Sequence, residues 1–406
     1  MSGLEPLFLE EHEAYREAAR MFVANEIEPH AEAWESARDY PRELFAKVGR
    51  AGFFGAKFAE TWGGTGPDYA AEAVWIEELS RSLTFGTASD LGAHSQLASL
   101  YVDRFGSDEQ RERYLRPSIV GERIGALAVT EPGAGSDVNA ISTRAHRDGD
   151  DWVVNGSKVY ITNGSWADYV VVAARTSEDR RGVGGGSSPL ANDSHSNLTL
   201  FLVDSGTPGF EQRRMKMIAW QTSHTGELFF DDVRVPDENR LGEVGDGFRH
   251  IMTNFQWERL IMSLSAVALA ERSLETAIDY AKQRTAFGRP VIKFQVWQHR
   301  FADLAVRIRM GKALTYRALR THIAAEQGLG VDGDELVRIT SMAKLFTQRM
   351  AWRVADECVQ VHGGSGALKE YPAQRFWRDA RVGLIGGGTD DIMREVIAGT
   401  LGLRSA

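Results

Sequence analysis

The chain has 406 residues, 43% hydrophobic and 25% charged, with a net charge of −9. That length buries a large core and splits into two or three domains, and the mixed composition excludes a disordered chain. The acidic balance without a lysine or arginine block excludes nucleic acid as a partner, and the single cysteine, Cys358, excludes an internal disulfide and a cysteine-based zinc site.

The N-terminal stretch is acidic and lacks the basic-then-apolar order of a signal peptide. No apolar run approaches the roughly 20 residues of a membrane span. A cytoplasmic protein without a membrane partner is therefore expected, and no metal site. Residues 1–125 read as an N-terminal helical domain. AYREAARMFVANEI and AAEAVWIEELSRS space apolar residues three and four apart, and Pro41, Gly63-Gly64 and Gly66-Pro67 mark turns.

Residues 126–240 change period. ADYVVVAART, NLTLFLVD and GELFFDDVRV are short, β-branched or aromatic runs bounded by turn residues, and predict a compact β-domain, a small barrel or sandwich. Asn155-Gly156 between apolar runs predicts a hairpin turn. The Gly/Ser/Asn-rich stretch 181–197 predicts an exposed loop. It is not a phosphate loop, since no Lys-Ser or Lys-Thr pair follows and no helix opens after it.

Residues 241–406 return to helix. FRHIMTNFQWERLIMSLSAVALAERSLETAIDYAKQR runs without Pro or Gly, and two further long helices follow across short loops, which predicts a bundle. Cys358 lies in one of them as a small buried hydrophobe. The fold class is α with a central β insert.

Four segments can carry chemistry. In ALAVTEPGAGSDV a strand enters a Pro-Gly turn that offers Thr130, Ser136 and bare backbone N–H groups; on turn chemistry alone it reads first as a plain strand and turn. In KVYITNG, Tyr160 and Thr162 alternate onto one strand face, which suits a planar heteroaromatic ligand or an ordinary core edge. AKQRTAFGRPVIKFQ gathers Arg284, Phe287 and Gln295 around a turn. VQVHGG…IGGGTDDIM carries two glycine clusters, then Thr389 at a helix start with Asp390 and Asp391 in its first turn.

In their joint order and spacing, TEPGAGSD, KVYITNG, ELFFDDVRVP, QRTAFGRP and QVHGGSGALKEYP…RFWRDARV resemble the acyl-CoA dehydrogenase family, from about Glu10 to Leu403. The resemblance implies an N-terminal helical domain, a middle β-barrel-like domain and a C-terminal four-helix bundle. It also implies FAD as cofactor, an acyl-CoA substrate oxidised between Cα and Cβ, an electron-transfer flavoprotein as partner and a homotetramer. Carried over by position, Leu127, Val129, Thr130, Gly135, Ser136, Tyr160 and Thr162 line flavin and thioester. Arg284, Phe287, Gln295, Gln360, Gly363 and Gly364 hold the diphosphate and adenine end across a subunit contact. Thr389 and Asp391 sit on the helix facing FAD. Gly399 departs from relatives that carry an arginine near the CoA there.

The family's usual catalytic glutamate position is Gly387, within Gly386-Gly387-Gly388. Glycine cannot take a proton, but its N–H can still donate to the thioester carbonyl. A minority of the family, the isovaleryl- and long-chain types, place the glutamate on the first long bundle helix just before an arginine, and Glu258-Arg259 matches that position. Glu258 is the expected base, with Ser136, Arg259 and Gly387 at the substrate; the alternative is a surface glutamate paired with Arg259 or Arg249. The triple glycine predicts room for a branched, bulky or long acyl chain. A non-catalytic partner subunit or an acyl-CoA oxidase are the rival readings. Oxidases usually have longer chains.

Overall fold

The computed structural model describes residues 6–176 and 197–403. The helical N-terminal part comprises α1 (Glu10–Glu26), α2 (Ala31–Ala37), α3 (Glu43–Arg50), α4 (Tyr69–Ser80), α5 (Phe85–Ala93), α6 (Leu100–Phe105), α7 (Asp108–Gln110) and α8 (Arg116–Ile119). Between α5 and α6 the chain stays wound, but His94–Ser99 take π-helical turns. Such π segments collect at functional sites.

The spacing of α4 predicts one apolar face, yet every residue of this helix is buried. It packs between α1 and the first long helix of the bundle, so its glutamates need distant partners. Glu77 takes Arg16 at 2.7 Å and the Tyr316 hydroxyl at 2.8 Å; Glu78 takes Arg16 and Arg20. Glu72 pairs with Lys57 at 3.4 Å, both fully buried.

Among the described residues, the middle part is one eight-stranded sheet. Its strands are β1 (Gly125–Ala128), β2 (Arg144–Asp148), β3 (Asp151–Ile161), β4 (Tyr169–Arg175), β5 (Leu198–Asp204), β6 (Phe210–Arg214), β7 (Gly226–Pro236) and β8 (Arg240–Leu241). The order is β6-β7-β3-β2-β4-β5-β8, with β1 parallel to β4. The sheet curls so that β1, β3, β4, β5 and β7 share one apolar interior around Trp152, Val154, Phe201 and Phe230. The Gly/Ser-rich stretch 181–197 lies outside the described residues except Asn197, which is buried and accepts the Thr176 N–H.

Asn155-Gly156 does not turn the chain. β3 runs through it, and the register against β7 slips there by one residue, from Val154↔Val233 to Gly156↔Phe230. The extra residue is on β7, where Asp232 has φ +49 and exchanges two 2.9 Å hydrogen bonds with the Asn155 side chain. A Cβ on Gly156 would lie 2.5 Å from Thr143 Oγ1. Asn-Gly therefore serves a bulge and a close approach instead. The hairpin turn is Gly149-Asp150, closing the pair Asp148↔Asp151 with φ +66 at Gly149.

The bundle is α9 (Gly247–Gln283), α10 (Gln295–Glu326), α11 (Gly333–His362), α12 (Ala373–Ala380) and α13 (Asp390–Thr400). Short loops reverse the chain twice, so α9 and α11 run parallel and side by side. Cys358 is buried in α11. Among the described residues, no helix is long and apolar enough to cross a membrane.

Candidate active site

Glu258 sits in the fourth turn of α9, between buried Trp257 and buried Arg259. Its side chain is half-buried, and Arg249 pairs with Asp246 at 2.7 Å instead. Burial pushes the Glu258 carboxyl above its ordinary value, against the opposing pull of Arg259 and Lys344. Arg259 is lowered by burial to about 10, and its guanidinium reaches Gln256 at 3.3 Å and Ser341 at 3.4 Å.

One turn further along α9, Met262 reaches the triple-glycine loop. A Cβ built on Gly387 would lie 2.2 Å from Met262 Sδ, and one on Gly386 would lie 3.8 Å from its Cε. Gly387 has φ +60 and Gly388 φ +91, conformations that favour glycine. Among the described residues the N–H groups of Gly387 and Gly388 donate to no backbone carbonyl, which leaves them as donors beside the helix that carries Glu258. The loop ends at Thr389, whose hydroxyl accepts the Ile392 N–H at 3.2 Å and caps α13. Asp391 is exposed and pairs with Arg394 at 2.7 Å.

The TEPGAGSD turn meets the same region from the sheet. Leu127 and Val129 join the apolar cluster that holds Trp257, Leu260 and Leu264 of α9. The Thr130 carbonyl accepts the Val159 N–H at 3.0 Å, which lays Thr130 beside Tyr160. Gly135 and Ser136 are exposed. Beneath the turn, Glu131 and Lys158 form a buried ion pair at 2.8 Å. Burial alone would raise the Glu131 carboxyl. Lys158, with donors from Ser142 and Thr143, outweighs it and holds the group down at about 2.

Tyr160 departs from the expected strand alternation. A second bulge lies between Lys158↔Leu228 and Ile161↔Gly226, and Tyr160 occupies it with φ +61 and 62% exposure. Thr162 lies just past β3 and is half-buried. The two residues therefore do not share a face by strand period; the bulge re-aims Tyr160.

The remaining carried-over residues gather elsewhere. Arg284 follows the last residue of α9, about 39 Å along its axis from Glu258 at 1.5 Å per residue. The Tyr280 hydroxyl donates to the His362 carbonyl at 3.2 Å and ties this end of α9 to the end of α11, where Gln360, Gly363 and Gly364 are exposed. Phe287, 97% exposed at φ +51, and exposed Gln295 complete the group. Within one chain this second cluster cannot reach Glu258.

Sequence reasoning missed several residues around the site. Gln96 donates to Glu72 and accepts the Trp257 indole N–H at 3.0 Å, linking α4 to the helix of Glu258. Burial pushes His94 down to about 4; its Nδ1 accepts the Gly125 N–H at 3.1 Å and its Nε2 lies 2.9 Å from the Ser118 carbonyl. Lys344, in the run SMAKLF, carried no pattern of its own. The Glu131 and Lys158 side chains were legible only as a charge on each of two neighbouring motifs.

This fold, with paired clusters at the two ends of a helical bundle and a curled sheet between, defines an acyl-CoA dehydrogenase architecture. Residues 9–122, 126–233 and 245–402 match the acyl-CoA dehydrogenase N-terminal, middle and C-terminal domains. The chain belongs to the acyl-CoA dehydrogenase family and is an oxidoreductase acting on CH–CH donors. It is 39% identical to the long-chain specific acyl-CoA dehydrogenase of Sus scrofa mitochondria, over 98% of this chain and 87% of that one. Among solved structures it is similar to butyryl-CoA dehydrogenase from Megasphaera elsdenii, with a TM-score of 0.89 at 32% identity, covering 99% and 100% of the two chains. It also resembles a glutaryl-CoA dehydrogenase from Mycobacterium smegmatis in complex with FADH2, with a TM-score of 0.87 at 28% identity over 98% and 96%.

Proposed function

We propose that this chain is an FAD-dependent acyl-CoA dehydrogenase that converts an acyl-CoA to its trans-2-enoyl-CoA, with Glu258 as the base. The observation that carries the proposal is the position of Met262: its sulfur fills the space a side chain at Gly387 would need, one helical turn from Glu258. The glycine loop and the glutamate are thus two halves of one site. The Glu258 carboxylate takes the α-proton, and burial makes it a stronger base than a solvated carboxylate. The Gly387 N–H donates to the thioester carbonyl and stabilises its enolate character. Ser136 and Arg259 border the same substrate.

The residues fit a flavin. Tyr160 and Phe287 both hold left-handed backbone while exposing an aromatic ring, strain that folded chains keep where it serves a ligand or partner. Gly133 and Gly135 have open space where a Cβ would stand, so backbone donors are reachable, and Arg284 supplies an exposed cation. When bound, FAD supplies the hydride acceptor. The separation of the Arg284 cluster from Glu258 supports assembly of each cofactor site from two copies, as in a homotetramer. Reoxidation would fall to an electron-transfer flavoprotein.

Anaerobic mixing of the FAD-loaded protein with butyryl-, octanoyl-, palmitoyl- and isovaleryl-CoA tests the reaction and ranks the acyl chains by flavin bleaching. Glu258→Gln should retain FAD and fold while losing at least about 100-fold in the bleaching rate. Undiminished bleaching removes Glu258 from the mechanism.

A further inference from the structure

Lys344 is an ammonium-bearing side chain fully withdrawn from solvent in the middle of α11. Its Nζ donates to the Gly388 carbonyl, 2.5 Å away, and so holds the triple-glycine loop. The register of the parallel helices places it opposite the base. Thr340 reaches Gln256 at 3.0 Å, Ser341 lies 3.4 Å from Arg259, and the Gln348 amide donates to the Met262 carbonyl at 2.7 Å. Those contacts bracket Glu258 on one helix and Lys344 on the other. Gln348 also packs against the chain leading into the loop, where a Cβ on Gly383 would overlap its Oε1.

We propose that Lys344 is a positioning residue that couples the two halves of the site: its ammonium anchors the glycine loop through Gly388 and, together with Arg259 on α9, supplies counter-charge that favours the ionised form of Glu258. The inference rests on Glu258 being the base. The charged and titratable groups around the pair are few. Glu258 faces Arg259 on its own helix, Lys344 on α11 and the buried Tyr101 hydroxyl on α6; Lys344 faces Asp390 at the start of α13, Arg259 and Glu258. Burial lowers Lys344 to about 8, against the pull of Asp390 and Glu258, so near neutral pH the ammonium form still predominates. A buried cation with one hydrogen bond is retained because anions share it.

The two roles separate chemically. Lys344→Gln keeps a donor for the Gly388 carbonyl but removes the charge, and Lys344→Met removes both. Infrared pH titration of the FAD-loaded protein follows the protonated-carboxyl stretch of Glu258, identified by its loss in Glu258→Gln. In both Lys344 variants the midpoint of that band should rise by about one pH unit or more, as withdrawal of a neighbouring opposite charge requires. The half-maximal pH of flavin bleaching by palmitoyl-CoA should rise with it, and the bleaching rate should recover at high pH. Lys344→Met alone should also lose thermal stability. An unmoved infrared midpoint in Lys344→Gln overturns the proposal, because a structural tether alone would not shift it. If Glu258→Gln bleaches normally while the midpoint still moves, the base assignment has failed and the coupling stands.

Discussion

Gly387→Ala is the sharpest test of the way the loop and α9 fit together. Gly387 has φ +60, and an alanine held in that left-handed region costs about 1–2 kcal/mol. Its Cβ would also stand 2.2 Å from Met262 Sδ, well inside contact distance, so Met262 must leave its rotamer at about 0.5–1.5 kcal/mol. Together the substitution should remove about 1.5–3.5 kcal/mol of stability. Gly386 is the internal control. Its φ is not positive, and a Cβ there meets Val382 O and Met262 Cε only at 3.7 and 3.8 Å. Gly386→Ala should therefore stay within about 0.5 kcal/mol of wild type. Equilibrium urea denaturation of both variants, alone and combined with Met262→Ala, gives the comparison. Removing Met262 should return the steric part of the Gly387→Ala loss and leave the backbone part. Equal losses in Gly386→Ala and Gly387→Ala, or no coupling to Met262→Ala, would refute the packing described for the site.

Two further outcomes follow from the charges. Glu258 is raised above its ordinary value, so flavin bleaching should climb with pH through a midpoint above the usual carboxylate range; stopped-flow rates flat from pH 5 to 8 contradict this. The same shift stabilises the fold at low pH and is lost as pH rises through the raised value. Lys158→Met strands Glu131 in a buried position and should lower the unfolding free energy by about 3–5 kcal/mol, read by urea denaturation. Because Glu131 is held down at about 2 from an ordinary 4.5, its contribution in the wild type is present above pH 4.5 and fades as pH falls toward 2; the variant should lack that acid-side decline.

Much of this was legible in the sequence because it is local. The change from helical to strand period, the order of the motifs and Thr389 at a helix start are all carried by short windows. What escaped depends on distant partners. The period of α4 predicts a solvent face, but Arg16, Tyr316 and Lys57 arrive from other elements and cover its glutamates. Asn-Gly favours left-handed turns and bulges alike, and only the slip against β7 decides between them. The same holds for Tyr160, whose left-handed backbone overrides the alternation that its neighbours obey. Lys344 announces nothing in its own segment; its meaning comes from a carbonyl 44 residues away.

The sulfur of Met262 and the left-handed glycine beside it also act on descent, like a ratchet. Placing a carboxylate on the loop needs a side chain at Gly387 and a smaller residue at position 262. A change at Gly387 alone strains the loop, and a change to a smaller residue at Met262 alone leaves a void. Any single-step route that puts a side chain at Gly387 therefore passes through a strained or voided intermediate, and the two positions must change together.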